Sequence, residues 1–221
     1  MYVLMKILES SPERYDRWIS LVTLGRLDSV YARMASYIER GMKVLEIGCG
    51  TGLLTVKLLK RGAHVKAVDS NPSMLKIARE RFMALGGNFA KSVELCEMGV
   101  TGLDKEKVNS YDAVVSGLCF SELSDDEISF ALREIGRILK SNGLLLIADE
   151  SVPPFVPARM VYWFVKVPFL IITYFVTGTV TRGLKNFNQV LAEKNFRVRE
   201  VRYSRLGSFI EIVAKKLSTD S

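Results

Sequence analysis

Residues 44–52, Val-Leu-Glu-Ile-Gly-Cys-Gly-Thr-Gly, constrain the fold more than any other stretch of this chain. A run of branched apolar residues enters a turn with glycine at every second position, and a helical pattern follows at once. Glycine lets a backbone bend sharply and come within contact distance of a ligand. A buried parallel strand feeding such a turn describes the first strand of a nucleotide-type α/β sheet. A dinucleotide fold would want its third glycine at position 53. That position is Leu53, and the glycine stands at Gly52, which moves the reading away from a pyrophosphate binder.

The rest of the chain alternates strands and helices. Ser11-Pro12-Glu13 is a helix start, and the segment to Arg40 carries Val30, Met34, Tyr37 and Ile38 before Gly41 stops it. Strands are expected over 43–47, 64–68, 93–96, 111–116 and 144–148. A helix over 53–61 ends at Gly62, and Asn71-Pro72 opens another that Gly86-Gly87 terminates. Ser124 and Glu127 form a capping box ahead of an apolar stripe at Ile128, Ala131, Leu132, Ile135 and Ile138. Asn142-Gly143 makes the turn into strand five, and a helix near 184–194 precedes strands near 196–204 and 207–215. Such alternation implies a parallel sheet with helices on both faces.

With 221 residues there is room for one α/β domain with modest additions. The division expected is an N-terminal helical cap segment over 1–40 and the main domain over 41–221, with an apolar helical insertion at about 153–182. The 48% hydrophobic content suits a packed core and excludes general disorder. A net charge of +7 permits acidic partners without demanding them. Part of the excess is local, since residues 182–216 hold nine Lys/Arg against three Asp/Glu, most simply a solvated face. Cys49, Cys96 and Cys119 are widely separated and show neither metal-ligand spacing nor a disulfide framework. No metal is expected, no signal peptide is found, and a reducing cytoplasm is the default compartment.

Four ordered motifs resemble those of the class I S-adenosylmethionine-dependent methyltransferases. They are Glu46 with Gly48, Gly50 and Gly52, the run 65–69 ending in Asp69, the run 111–116, and the block 132–149. The resemblance covers about residues 30 to 150. It implies a Rossmann-like, doubly wound, seven-stranded and mostly parallel sheet with an antiparallel strand near the C-terminus. S-adenosylmethionine is then the implied cofactor. Gly48, Gly50 and Gly52, with Cys49 in the turn, would line its methionine half, and Glu46 would orient the loop or meet the donor's amino group. Asp69, followed by Ser70, would accept hydrogen bonds from the ribose hydroxyls, the task of the acid in dinucleotide folds; a helix-capping role is the plainer alternative. Where the superfamily often has an acid after strand three, this chain has Met98-Gly99, whose backbone can still meet adenine. Ser116-Gly117 would lie under the methionine moiety.

A sulfonium donor carries its own leaving group, so alignment of donor and acceptor is the main task, and no triad or metal site is required. Candidates for a base are Glu122, Asp149 and Glu150, all near carboxyl ends of strands, though a solvated or capping carboxylate is the commoner role. Tyr15 and Arg17 resemble the leading segment that closes over the donor in quinone- and sterol-type methyltransferases. His64, the single histidine, precedes strand two on the opposite edge and reads as structural.

Two stretches, 8–17 with 23–27, and 116–124, are similar to corrinoid-protein-associated methyltransferases, which makes a corrinoid protein a candidate partner. The apolar, aromatic stretch 160–176 is interrupted by Lys166 and Pro168, too short for the ~20 residues of a membrane span. It leaves open a cover for the sheet or substrate pocket, a peripheral membrane surface, and self-association. The expected function is methyl transfer to a small, apolar or corrinoid-linked acceptor. The alternatives are a silent cofactor-binding partner protein and a nucleic-acid methyltransferase, the latter motivated by Arg197, Arg199, Arg202 and Arg205. Base methyltransferases usually carry an Asn-Pro-Pro-aromatic signature after strand four; residues 117–120 are Gly-Leu-Cys-Phe, and nucleic acid is not the expected partner.

Overall fold

The fold was described from a computed structural model, which describes residues 25–86, 89, 91–153, 184, 187–204 and 207–217. Tyr15, Arg17, the helix start at Ser11 and the stretch 160–176 lie outside these residues.

In chain order the elements are α1 (Arg26–Ser36), β1 (Lys43–Ile47), α2 (Leu53–Lys60), β2 (His64–Asp69), α3 (Pro72–Leu85), β3 (Val93–Glu97) and a 3-10 turn (Val100–Lys105). Then come β4 (Tyr111–Gly117), a second 3-10 turn (Phe120–Glu122), α4 (Asp125–Ile138), β5 (Leu139–Glu150), α5 (Phe187–Glu193), β6 (Phe196–Tyr203) and β7 (Phe209–Lys216). The seven strands form one sheet in the order β3-β2-β1-β4-β5-β7-β6. β1 to β5 pair in parallel, and β7 inserts antiparallel between β5 and β6. The antiparallel strand implied by the resemblance is present.

Two cores flank the sheet. On one face α1, α2 and α3 bury Val30, Leu58 and Phe82 against Val44, Ala113 and Val115. On the other, α4 and α5 bury Leu132, Ile135 and Leu191 against Leu45, Val114 and Ile147. Ala131, Leu132, Ile135 and Ile138 are each 0% exposed, and a Leu or Ile so enclosed contributes ~1.5–3 kcal/mol. The expected stripe is therefore the seam that fastens α4 to the sheet.

Local signals decide where the helices begin. Asn71 accepts from the Ser73 and Met74 amides at the head of α3. At α4, Ser124 Oγ accepts the Glu127 N–H at 3.3 Å, and the Glu127 carboxylate accepts the Ser124 N–H at 2.8 Å. Ser124→Ala is expected to destabilise the fold by about 1 kcal/mol, the usual worth of an N-cap, read as a shift of the urea midpoint.

Strand five differs from expectation. It starts at Leu139, paired with Tyr111, and resumes at Leu144 opposite Ala113, so residues 140–143 form a bulge inside the strand. Asn142 takes φ 63°, which permits that kink without ending the pairing. At its far end the chain leaves β5 through Ser151, which bridges to Leu184. The Leu184 N–H donates to the Glu150 carbonyl at 3.1 Å, so the flanks of segment 154–183 meet at the carboxyl edge of the sheet.

Candidate functional site

A cleft of about 490 Å³ opens at the carboxyl ends of β1, β2 and β4, where open α/β sheets hold ligands. The glycine turn after β1 contributes Gly48 and Gly50, and the end of β2 contributes Asp69 and Ser70. Met98 and Gly99 enter after β3, and Gly117, Leu118, Cys119 and Glu122 after β4. Of the expected cofactor residues, Gly48, Gly50, Asp69, Ser70, Met98 and Gly99 come together on this wall.

Glu46, Cys49, Gly52 and Ser116 stand behind it. Glu46 is 2% exposed and accepts the Thr55 hydroxyl at 2.6 Å, tying β1 to α2. Of the two roles foreseen for it, orienting the loop is the one this geometry supports. Burial pushes its carboxyl up to about 8, against the opposing hydrogen bond from Thr55. Ser116 is buried and donates to the Ile47 carbonyl at 2.9 Å, bracing β4 on β1, so it is the neighbouring Gly117 that reaches the cleft. Cys49 is buried, and desolvation pushes its thiol well above the usual range, which makes it a small packing residue rather than a nucleophile.

The loop's shape follows from its glycines at two positions. Gly48 has φ 70°, and a Cβ there would lie 2.6 Å from Cys119 Cβ. Gly52 has φ 81° and would set a Cβ 2.7 Å from the Phe82 ring of α3. Gly52→Ala is accordingly expected to cost about 2–4 kcal/mol, combining left-handed strain with a steric clash. Denaturant midpoints check it, and adding Phe82→Leu should recover part of the loss by making room. Arg81, one residue before Phe82, donates to the Thr51 carbonyl at 2.7 Å. Helix α3 thus holds the glycine turn from below.

Asp69 is placed by backbone groups on both sides. One carboxylate oxygen accepts the Gly50 N–H at 2.8 Å and the other the Asn71 N–H at 2.9 Å. Asn71, not Asp69, caps α3. An ionised carboxylate offers about four lone-pair sites, so Asp69 retains acceptor capacity for a ligand beyond its backbone partners. Burial raises its pKa, and the backbone N–H groups from Asn71, Gly50 and Ser70 oppose that rise.

The base candidates separate. Glu122 lines the cleft, whereas Glu150 does not. Asp149, the third candidate, is 0% exposed and accepts the amides of Ser121 and Glu150, so it lies behind the cleft rather than on its wall. His64 opens β2 at the amino edge, away from the cleft. Sequence reasoning missed Asn71, Pro72, Met74, Leu123 and Glu127, which also line the cleft. Asn71-Pro72 directly after the strand-ending Asp69 was the available signal for the first group. Nothing in the capping box announced that Glu127 would face the same space.

The electrostatics are one-sided. The lining residues include three carboxylates, Asp69, Glu122 and Glu127, and among the described ones no lysine, arginine or histidine, in a chain of net charge +7. That favours a cationic ligand over a phosphate-bearing one. No group of metal-ligating side chains is found among the described residues. None of the described helices is long and apolar enough to cross a membrane.

Comparison with known proteins agrees with this geometry. A family profile described as a methyltransferase domain matches residues 44–143. The ubiquinone/menaquinone biosynthesis C-methyltransferase of Cronobacter sakazakii is 32% identical over 162 residues, covering 71% of this chain and 62% of that protein. The ubiquinone biosynthesis O-methyltransferase of Xanthomonas oryzae is 32% identical over 129 residues, covering 58% of this chain and 50% of that protein. The chain therefore spans less than two thirds of the length of these relatives. In fold it is similar to an S-adenosylmethionine-dependent methyltransferase from Mesorhizobium loti, with TM-score 0.63 and 19% identity over 84% of this chain and 95% of that one. Motif order, strand order and these matches agree: the chain carries a methyltransferase domain over residues 44–143 and is similar in sequence and fold to the class I S-adenosylmethionine-dependent methyltransferases.

Proposed function

We propose that this protein binds S-adenosylmethionine in the acidic cleft and transfers its methyl group to a small, apolar acceptor. The observation that carries the reading is the lining: three carboxylates and no cationic side chain among its described residues, beside a bare glycine turn. Such a surface suits a sulfonium nucleoside and disfavours a pyrophosphate. The volume of about 490 Å³ falls within the ~300–1,000 Å³ of small-molecule sites.

In this reading Asp69 takes the ribose hydroxyls on its remaining lone pairs, with Ser70 beside it. The turn at Gly48 and Gly50 presents backbone to the methionine half, and Met98-Gly99 to the adenine. Glu46, Gly52 and Ser116 act from behind, holding the turn and β4 in place. The donor, when bound, supplies an electron-poor methyl group, so the chain's contribution is alignment and exclusion of water. Glu122 is the cleft-lining carboxylate placed nearest in sequence to the end of β4, and it is the candidate to take a proton from an acceptor.

Support for an apolar acceptor comes from two directions. The apolar sequence of 160–176 belongs to a segment whose flanks meet at the carboxyl edge, beside the strand whose end lines the cleft. The matched relatives are named for quinone biosynthesis. A corrinoid-linked acceptor is a narrower form of the proposal, resting on the stretches 8–17 with 23–27, and 116–124, alone. Of the arginines behind the nucleic-acid alternative, Arg197, Arg199 and Arg202 stand on β6, the edge strand, separated from β4 by β5 and β7, and Arg205 lies outside the described residues.

Calorimetric titration with S-adenosylhomocysteine tests donor binding, and no heat at millimolar ligand removes the proposal. Transfer of labelled methyl from the donor to a cell extract then tests chemistry. Label in the organic-soluble fraction is the expected result. Label confined to protein or nucleic acid overturns the apolar acceptor, and binding without any transfer favours the silent partner.

A further inference from the structure

The turn after β4 is held in a conformation its own sequence does not favour. Leu118 has φ 60°, a left-handed backbone that a branched side chain keeps only when its surroundings impose it. The Leu118 N–H donates to the Ala148 carbonyl at 2.8 Å, which fastens the start of the turn to β5. Cys119 packs so closely on Gly48 that no side chain fits there. Phe120 is 0% exposed, while Leu118, Cys119, Glu122 and Leu123 all line the cleft.

Behind the middle of this turn sits Asp149. It is fully enclosed: one oxygen accepts the Ser121 N–H at 3.1 Å, the other the Glu150 N–H at 2.7 Å, and the Ser121 side chain also hydrogen-bonds the carboxylate. A carboxylate enclosed without a described cationic partner is costly to bury, and its hydrogen bonds offset part of that cost. Ile210, its cross-strand neighbour on β7, carries no charge. The titratable groups around it are Glu150 on its own strand and Cys119 on the turn, with Glu122 and Asp69 also acting on that thiol.

We propose that Asp149 is a positioning residue: by accepting the Ser121 N–H it holds the 118–122 turn against β5, and so sets the wall that Leu118, Cys119 and Glu122 present to the ligand. This goes beyond the reading of the cleft as a donor site, and rests on it. A neutral carboxyl is a weaker acceptor than a carboxylate, so a proton on Asp149 weakens its hold on the Ser121 N–H and loosens the turn. Burial pushes Asp149 up to about 6, which places that loosening in mildly acid solution.

The test is calorimetric binding of S-adenosylhomocysteine to the full chain at pH 5, 6, 7 and 8, for wild type and Asp149→Asn. Wild-type affinity is expected to fall about tenfold from pH 7 to pH 5, and the variant to bind about tenfold more weakly at pH 7 and show no acid limb, as loss of a hydrogen bond to a charged group implies. Wild-type affinity at pH 5 equal to that at pH 7 overturns the proposal. A variant that binds like wild type at pH 7 overturns it as well. So does a parallel acid loss in both proteins, which would assign that limb to Asp69. Should the variant not fold, hydrogen exchange in wild type decides: protection at 118–123, corrected for intrinsic rate, should drop about tenfold between pH 7 and pH 5 while β1 is unchanged. Equal protection at both pH values overturns the proposal. Failure of wild type to bind at any pH removes the donor-site reading itself, a distinct outcome.

Discussion

Asp69→Ala is expected to weaken S-adenosylhomocysteine binding about 100-fold, because hydrogen bonds to a charged group contribute ~1.5–3 kcal/mol each and the proposed contact with the ribose would be lost. The variant also leaves the Gly50 and Asn71 amides without their acceptor, which loosens the glycine turn. Asp69→Asn separates the two causes. Its carbonyl oxygen still accepts one of those amides, while its amide nitrogen cannot accept from a ribose hydroxyl. An intermediate loss in Asp69→Asn, with a melting temperature near that of wild type, assigns most of the effect to the ligand. Calorimetry within threefold of wild type for the alanine variant would remove Asp69 from the binding role.

Stability should rise as the pH falls from 8 towards 5, the reverse of ordinary acid denaturation. The cause is Glu46, whose carboxyl is pushed up to about 8 in the folded chain from an ordinary 4.5. Between those values the folded state binds the proton and the unfolded state does not. The stabilisation is therefore complete below about pH 4.5 and is lost as pH rises through about 8. Each pKa unit corresponds to ~1.4 kcal/mol, so the swing is on the order of 4 kcal/mol. Asp149, raised to about 6, adds a smaller change of the same sign. Urea denaturation at pH 5, 6.5 and 8 in wild type and Glu46→Gln measures it. The glutamine variant should show a much flatter profile and greater stability than wild type at pH 8. A wild-type profile that instead climbs with pH would show that Glu46 is ionised in the folded protein.

What could be read along the chain was whatever neighbouring residues settle among themselves. The glycine turn, the Asn71-Pro72 start, the Ser124–Glu127 box and the α4 stripe each act within one or two helical turns, and each stands where expected. Strand five was misjudged at its start because Asn142-Gly143 reads locally as a turn, and only pairing with Tyr111 on β4 makes residue 139 part of the sheet. The same limit governed the acids. Glu46, Asp69, Glu122, Glu127 and Asp149 are alike as letters, and proximity to a strand end could not rank them.

By itself the sequence determined an α/β sheet with a ligand turn after its first strand, since glycine spacing, caps and apolar period are short-range chemistry. Only the tertiary structure decided which carboxylates face the cleft. Packing against Thr55 withdraws Glu46, and the Ser121 amide withdraws Asp149. Asp69, Glu122 and Glu127 are left on one wall by residues distant in the chain. Burial and hydrogen-bond partners distinguish one carboxylate from another, and both are properties of the assembled fold.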